Sequence, residues 1–332
     1  MLDAYWLLYG VLALILAAEF VNGWTDSPNA IATVVSTRVL SPYQAVIMAT
    51  VLNAIGAMSG TAVAATVGKD IISADVINLT TVAAAMVAII LWSTLAWYYG
   101  LPTSESHALI ASLTGAGLAT AGPSSLLWTG WSKVLIGLVF STFLGFFGGL
   151  LLMAILYRSL ANSRPGTVRR TFGRLQILSA GFMAFSHGSN DGQKFIGVFT
   201  LALMLGGILP AFQVPIWVIL LCAVTMGLGT AIGGWRIVKT MGLRLTKLEP
   251  VHGFAAETAA ALTIELATRL GIPLSTTHTI NTAIVGVGAT RRFSAVRWGV
   301  TFDIVAAWIL TFPVCGAIGW LATKLLLMLT PA

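Results

Sequence analysis

Charge is what this 332-residue sequence has least of: 18 basic and 11 acidic side chains amount to 9% of it, against roughly 25% in an ordinary soluble chain. So few charges cannot cover a water-facing surface. With 57% hydrophobic residues and a mean hydropathy of +0.91, the chain reads as a polytopic membrane protein with no hidden soluble domain. Cysteine is nearly absent. Cys222 and Cys315 both lie inside apolar segments, which argues against a disulfide framework or a thiolate metal site. The first apolar run follows the early acid Asp3 without a basic leader or a small-residue cleavage motif, so a retained helix is expected rather than a signal peptide. "VGKD" (67–70) lacks the flanking glycine and Ser/Thr of a phosphate-binding loop, which excludes an ATP-driven pump.

Apolar runs of about 20 residues give ten segments, roughly 2–37, 42–67, 76–99, 103–121, 128–157, 175–208, 215–235, 251–269, 274–290 and 298–326. The first and sixth are interrupted by polar residues and are expected to be broken helices. The longest polar connection, "YRSLANSRPGTVRRTFGR" (157–174), holds five arginines and no acid. If it is cytoplasmic and the segments alternate, thirteen of the 18 basic residues fall on the cytoplasmic side. That arrangement satisfies the positive-inside rule with both termini outside, and it explains the net charge of +7 without nucleic acid as a partner. Five spans per half would make the second half enter the bilayer upside down.

The halves also resemble each other. "GLPTSESH" (100–107) repeats as "GIPLSTTH" (271–278), and a polar stretch precedes each, "NGWTDSPNA" (22–30) and "SHGSNDGQK" (186–194). Two motifs in one order at nearly equal spacing point to an internal duplication, here an inverted repeat. The halves are 1–157 and 175–332, joined by the basic loop 158–174.

Seven of the 11 acids, Asp26, Asp191, Glu19, Glu105, Glu257, Glu265 and Asp303, and all four histidines lie in or beside apolar segments. A charge in hydrocarbon costs at least about 2.5–3.5 kcal/mol, so these groups must face a hydrated cavity or one another. Isolated ones, such as Glu19, Glu265 and Asp303, also suit hydrogen bonding between helices. In "PTSES" and "PLSTT" a proline opens a helix, and Thr103, Ser104, Ser106, Ser275, Thr276 and Thr277 set hydroxyls beside unpaired backbone N–H groups. Two such helix starts make a cradle for a small oxyanion. The carboxylates Asp26 and Asp191, with carbonyls freed by an unwound helix, suit Na⁺ or a proton. Anion donors beside cation ligands imply coupled transport.

The paired polar stretches and the duplicated P-x-S-x-x-H resemble the PiT inorganic phosphate transporter family, in its bacterial low-affinity branch, from about residue 5 to 325. The resemblance implies an all-α fold of two inverted repeats with broken or re-entrant helices, phosphate symport with Na⁺ or H⁺, no other cofactor, a bacterial plasma membrane and a homodimer. It assigns Asp26 and Asn29 to one signature, Asn190 and Asp191 to the other, Ser104, Ser275, Thr276 and Thr277 to phosphate, and Glu257 to function. It places a Na⁺ site at Asp26, Asn29 and Asp191. Two positions depart from it. The counterpart of Glu257 reads as Asn53, and Lys194 stands where Asn29 stands in the first half. The Lys194 ammonium is expected to take the place of a second cation beside Asp191, unless it snorkels to an interface. The histidines beside the motifs, His107, His187 and His278, suit proton relay or packing equally. A sulfate symporter of this fold is the alternative for the solute. A membrane phosphatase for lipid pyrophosphates would need an arginine clamp, and no arginine lies deep in a segment.

Overall fold

The computed structural model describes residues 2–329; Met1 and residues 330–332, which the two halves above include, lie outside the described residues. The first half runs through α1 (Leu2–Ser36), α2 (Pro42–Ala57), α3 (Ala62–Ala65), α4 (Leu79–Tyr99), α5 (Glu105–Ala121), α6 (Trp128–Val139) and α7 (Gly145–Ser159). The second runs through α8 (Pro165–Leu205), α9 (Ile216–Ile232), α10 (Trp235–Lys239), α11 (Pro250–Arg269), α12 (Thr276–Arg291) and α13 (Trp298–Leu329). Among the described residues there is no strand, only one bridge between Ile72 and Leu126.

The elements recur in order. Both α3 and α10 pass into a π-turn, at Thr66–Asp70 and Thr240–Arg244. α6 and α7, joined by a π-turn at Phe140–Leu144, stand where the single helix α13 stands. Packing is reciprocal as well. α1 lies on α9 as α8 lies on α2, and α5 lies on α13 as α12 lies on α7.

Two apolar clusters show that the copies are inverted. Leu8, Val11 and Ile15 of α1 share one cluster with Phe195, Phe199 and Leu203 of α8. Ile31 and Val34 of α1 share the other with Phe172, Ala180 and Met183 of α8. α1 therefore crosses from the first cluster to the second, and α8 crosses back. Between the clusters lies a buried polar layer, residues 19–29 of α1 and 186–194 of α8. Lipid supplies no hydrophobic drive for helix association, so close packing must hold the helices together. A Cβ on Gly23 would sit 2.3 Å from the Met226 carbonyl oxygen, and one on Gly188 would sit 2.0 Å from that of Asn53.

The breaks fall elsewhere than the sequence implied. α1 and α8 are continuous through their polar stretches. The bends come between α2 and α3, at 64°, and between α9 and α10, at 59°. Polar side chains do not unwind a helix when other helices satisfy them. Pro28 cannot donate to the Trp24 carbonyl, but the Ser27 hydroxyl does so at 3.1 Å and accepts from the Gly234 N–H at 2.9 Å. Residues 165–174, read as loop, are the opening turns of α8, with Pro165 in its first turn. Among the described residues four helical stretches are long and apolar enough to span a bilayer alone, Tyr5–Ser36, Leu79–Tyr99, Trp128–Ser159 and Trp298–Leu329, and the two bent pairs bring the number to as many as six. α5 and α12, at 17 and 16 residues, are too short by that measure.

Candidate functional site

The site is built from two helix starts and two helix middles. Gly100 and Gly271, at φ 69° and 65°, turn the chain out of α4 and α11 through the left-handed region that glycine reaches without strain. The proline motifs then lead into α5 and α12. Ser104 caps α5 by accepting from the His107 N–H at 3.2 Å, and Ser275 caps α12 by accepting from the His278 N–H at 3.1 Å. The two starts meet: Ser106 donates to the Leu274 carbonyl at 2.8 Å. Thr103, Ser104, Ser106, Ser275, Thr276 and Thr277 are each at most 5% exposed. The first-turn N–H groups of both helices have no partner within their own helix, so two positive dipole ends converge in a dry place.

α1 and α8 carry the carboxylates to the same point. Thr276 donates to Asp191 Oδ2 at 2.7 Å, and Thr277 faces the Asp26 carboxylate at 3.3 and 3.4 Å. Asn29 donates to Thr277 at 2.9 Å. Lys194, 2% exposed, bonds Asp191, Ser106 and the Leu274 carbonyl. Asn190 bonds Thr268 at 2.8 Å and the Ile272 carbonyl at 3.2 Å. The carbonyls that serve the site therefore come from the segment preceding α12, not from an unwound α1 or α8.

Asp26, His187 and Asp191 bring ligand atoms within 4.8 Å of one another. The hydrogen bonds around them fix which atoms accept. Thr230 donates to the Met226 carbonyl, so it must accept from Asn53 Nδ2 at 3.1 Å. Asn53 Oδ1 is then the acceptor facing His187 Nδ1 at 3.0 Å, so Nδ1 carries the proton. His187 Nε2 lies 3.2 Å from Asp191 Oδ2, where it is a lone pair in the neutral ring and a donor to the carboxylate in the protonated one. This ring nitrogen and the Asp191 carboxylate, beside the second carboxylate Asp26, make a place for a cation, either a proton or a metal ion. His187 joins Asp26 and Asp191 in this group, whereas Asn29 reaches it through Thr277. Nothing in sequence spacing tells a packing histidine from a ligand, so only the fold separates His187 from His107 and His278.

Other expected residues stand apart. Glu257 lies on α11 and accepts from Thr33 at 2.5 Å, from Gln176 at 3.0 Å and from Ser179. Its expected counterpart Asn53 is on α2, a different element. The residue at the matching distance before the α4 turn glycine is Met86, so the first half carries no carboxylate there. Glu105, at the start of α5, was not assigned a role. It accepts from Thr25, the neighbour of Asp26, at 2.7 Å and from Ser93 at 2.6 Å.

Known proteins share this architecture. The model of the phosphate transporter family matches residues 22–319. A probable low-affinity inorganic phosphate transporter of Rhizobium meliloti is 46% identical over 317 residues, 95% of each chain. One of that description in Bacillus subtilis is 40% identical over 317 residues, again 95% of each. A solved structure titled a sodium-dependent phosphate transporter superposes with a TM-score of 0.88 at 23% identity, covering 98% of this chain and 100% of its own, which shows the shared fold. The relatives are transporters rather than enzymes. The chain is an integral membrane protein and belongs to the phosphate transporter family.

Proposed function

We propose that the chain carries inorganic phosphate in symport with a cation, the two bound side by side where the inverted halves meet. The observation that carries this reading is that Thr276 and Thr277, hydroxyls of the α12 start, face Asp191 and Asp26. A cation taken up by the carboxylates relieves those hydroxyls of their acceptors and frees them for an oxyanion. Anion and cation thus favour each other's binding. An anion entering against an inside-negative potential costs about 2.3 kcal/mol per charge per 100 mV, which a co-transported cation offsets. Ser104, Ser106, Ser275, Thr276 and Thr277 are the phosphate donors in this reading, and Asp26, His187 and Asp191 hold the mobile cation. Both termini face outside and the basic connection at 158–174 faces the cytoplasm, which the positive-inside count supports.

Counterflow of labelled phosphate in proteoliposomes, with Na⁺ and pH gradients imposed separately, tests the reading. Accumulation driven by one of the two gradients is expected, with tenfold excess sulfate competing weakly. Absence of counterflow under every gradient sinks the phosphate reading, and full competition by sulfate restores the alternative solute.

A further inference from the structure

The two halves treat one position differently. Asp26 and Asp191 are equivalent in the repeat, and three residues on, Asn29 stands in α1 and Lys194 in α8. Both side chains reach across to the same place in the opposite half. Asn29 donates to Thr277, Lys194 donates to Ser106, and Thr277 and Ser106 occupy matching positions two residues after the cap serines. The amide is neutral and the ammonium is charged.

The surroundings of Nζ are those of a bound metal cation. A carboxylate oxygen of Asp191, the hydroxyl of Ser106 and the carbonyl of Leu274, the last at 2.9 Å, converge on it. Carboxylate, hydroxyl and main-chain carbonyl oxygens are the hard donors that coupling ions take in broken-helix transporters. Lys194 does not snorkel, because it is 2% exposed. An ammonium so deeply buried persists only when paired and hydrogen-bonded, and here every contact is an acceptor.

We infer that Lys194 is a tethered cation: its ammonium permanently fills the alkali-cation place of the second half, so that only the Asp26 side exchanges a coupling ion with solvent. This rests on the symport reading above and deepens it. A carrier with two exchangeable places would move one more cation per cycle than this one.

Lys194→Asn makes the second half a copy of the first and tests the inference. The purified variant is expected to gain Na⁺-specific thermal stabilisation, NaCl against choline chloride at equal ionic strength, at least 3 °C beyond any shift of the parent. In proteoliposomes its phosphate uptake is expected to rise about tenfold with Na⁺, with a Hill coefficient for Na⁺ higher by about one than the parent's. Equal Na⁺ responses in variant and parent overturn the inference. Lys194→Ala, which leaves room for a hydrated ion, is the second variant. If neither folds in NaCl while the parent does, a Na⁺ ion does not replace the ammonium and the inference fails. A parent that shows no phosphate counterflow sinks the symport reading instead, and leaves the Na⁺-dependent shift to decide the question of Lys194.

Discussion

His107 and His278, equivalent residues of opposite halves, meet edge to face with ring centroids 4.5 Å apart and planes at 84°. His278 also stacks on Trp308 at 3.7 Å, and the Trp308 indole donates to the Pro102 carbonyl at 2.8 Å. The contact ties the two helix starts together, and aromatic pairs of this kind contribute about 0.5–1.5 kcal/mol beyond their buried area. Neither ring nitrogen of His278 has a hydrogen-bond partner among the described residues. A relay needs partners, and packing does not. His278→Phe is therefore expected to keep phosphate uptake within about threefold of the parent and to leave its pH profile unchanged, measured in proteoliposomes between pH 5.5 and 8.

Among the described residues no lysine or arginine pairs with Asp26, whereas Lys194 pairs with Asp191. Replacing Asp26 by Asn removes the charge to which the proposed function assigns a mobile cation, and keeps an oxygen for Thr277. Asp26→Asn is expected to abolish accumulation against a gradient while preserving exchange of labelled phosphate across the membrane at a reduced rate. Gradient-driven accumulation by the variant would place the coupling cation elsewhere.

The cap serines make a different prediction. Ser275 satisfies the His278 N–H, and loss of such a cap costs about 1 kcal/mol. Under the proposed function it also removes a hydroxyl from the anion cradle. Ser275→Ala is expected to lower the melting temperature modestly and to raise the KM for phosphate about tenfold, a larger effect than the cap alone explains. Ser104→Ala should behave alike, since the cap recurs there.

Much of this was legible in the sequence because duplication leaves marks that chance does not. The repeated G-x-P-x-S-x-x-H carries a backbone demand, a positive-φ glycine, and a capping demand, a serine three residues before a histidine N–H, and both halves meet them. Lys194 beside Asp191 followed from its standing where Asn29 stands in the first half. Helix continuity was not legible. Polar residues in α1 read as a break only so long as their partners, on elements far along the chain, are unknown. The expected equivalence of Asn53 and Glu257 failed for a related reason: two polar residues in matching apolar surroundings look paired until the elements that carry them are counted.

Glu257, expected in cation coupling, is held by protein donors on both oxygens. Three donors reach it from two helices, Thr33 on α1 and Gln176 and Ser179 on α8, while Glu257 itself is on α11. It therefore ties three elements together, with both of its oxygens occupied by protein. A glutamine there takes the charge from three hydrogen bonds and turns Ser179 from donor to acceptor. Hydrogen bonds to a charged group contribute about 1.5–3 kcal/mol, and the loss should appear as a lower melting temperature of the purified Glu257→Gln protein. Its phosphate uptake per folded molecule is expected to fall less than tenfold and to keep the cation dependence of the parent. Should Glu257→Gln instead be as stable as the parent but unable to respond to a cation gradient, the carboxylate exchanges a coupling ion despite its three donors.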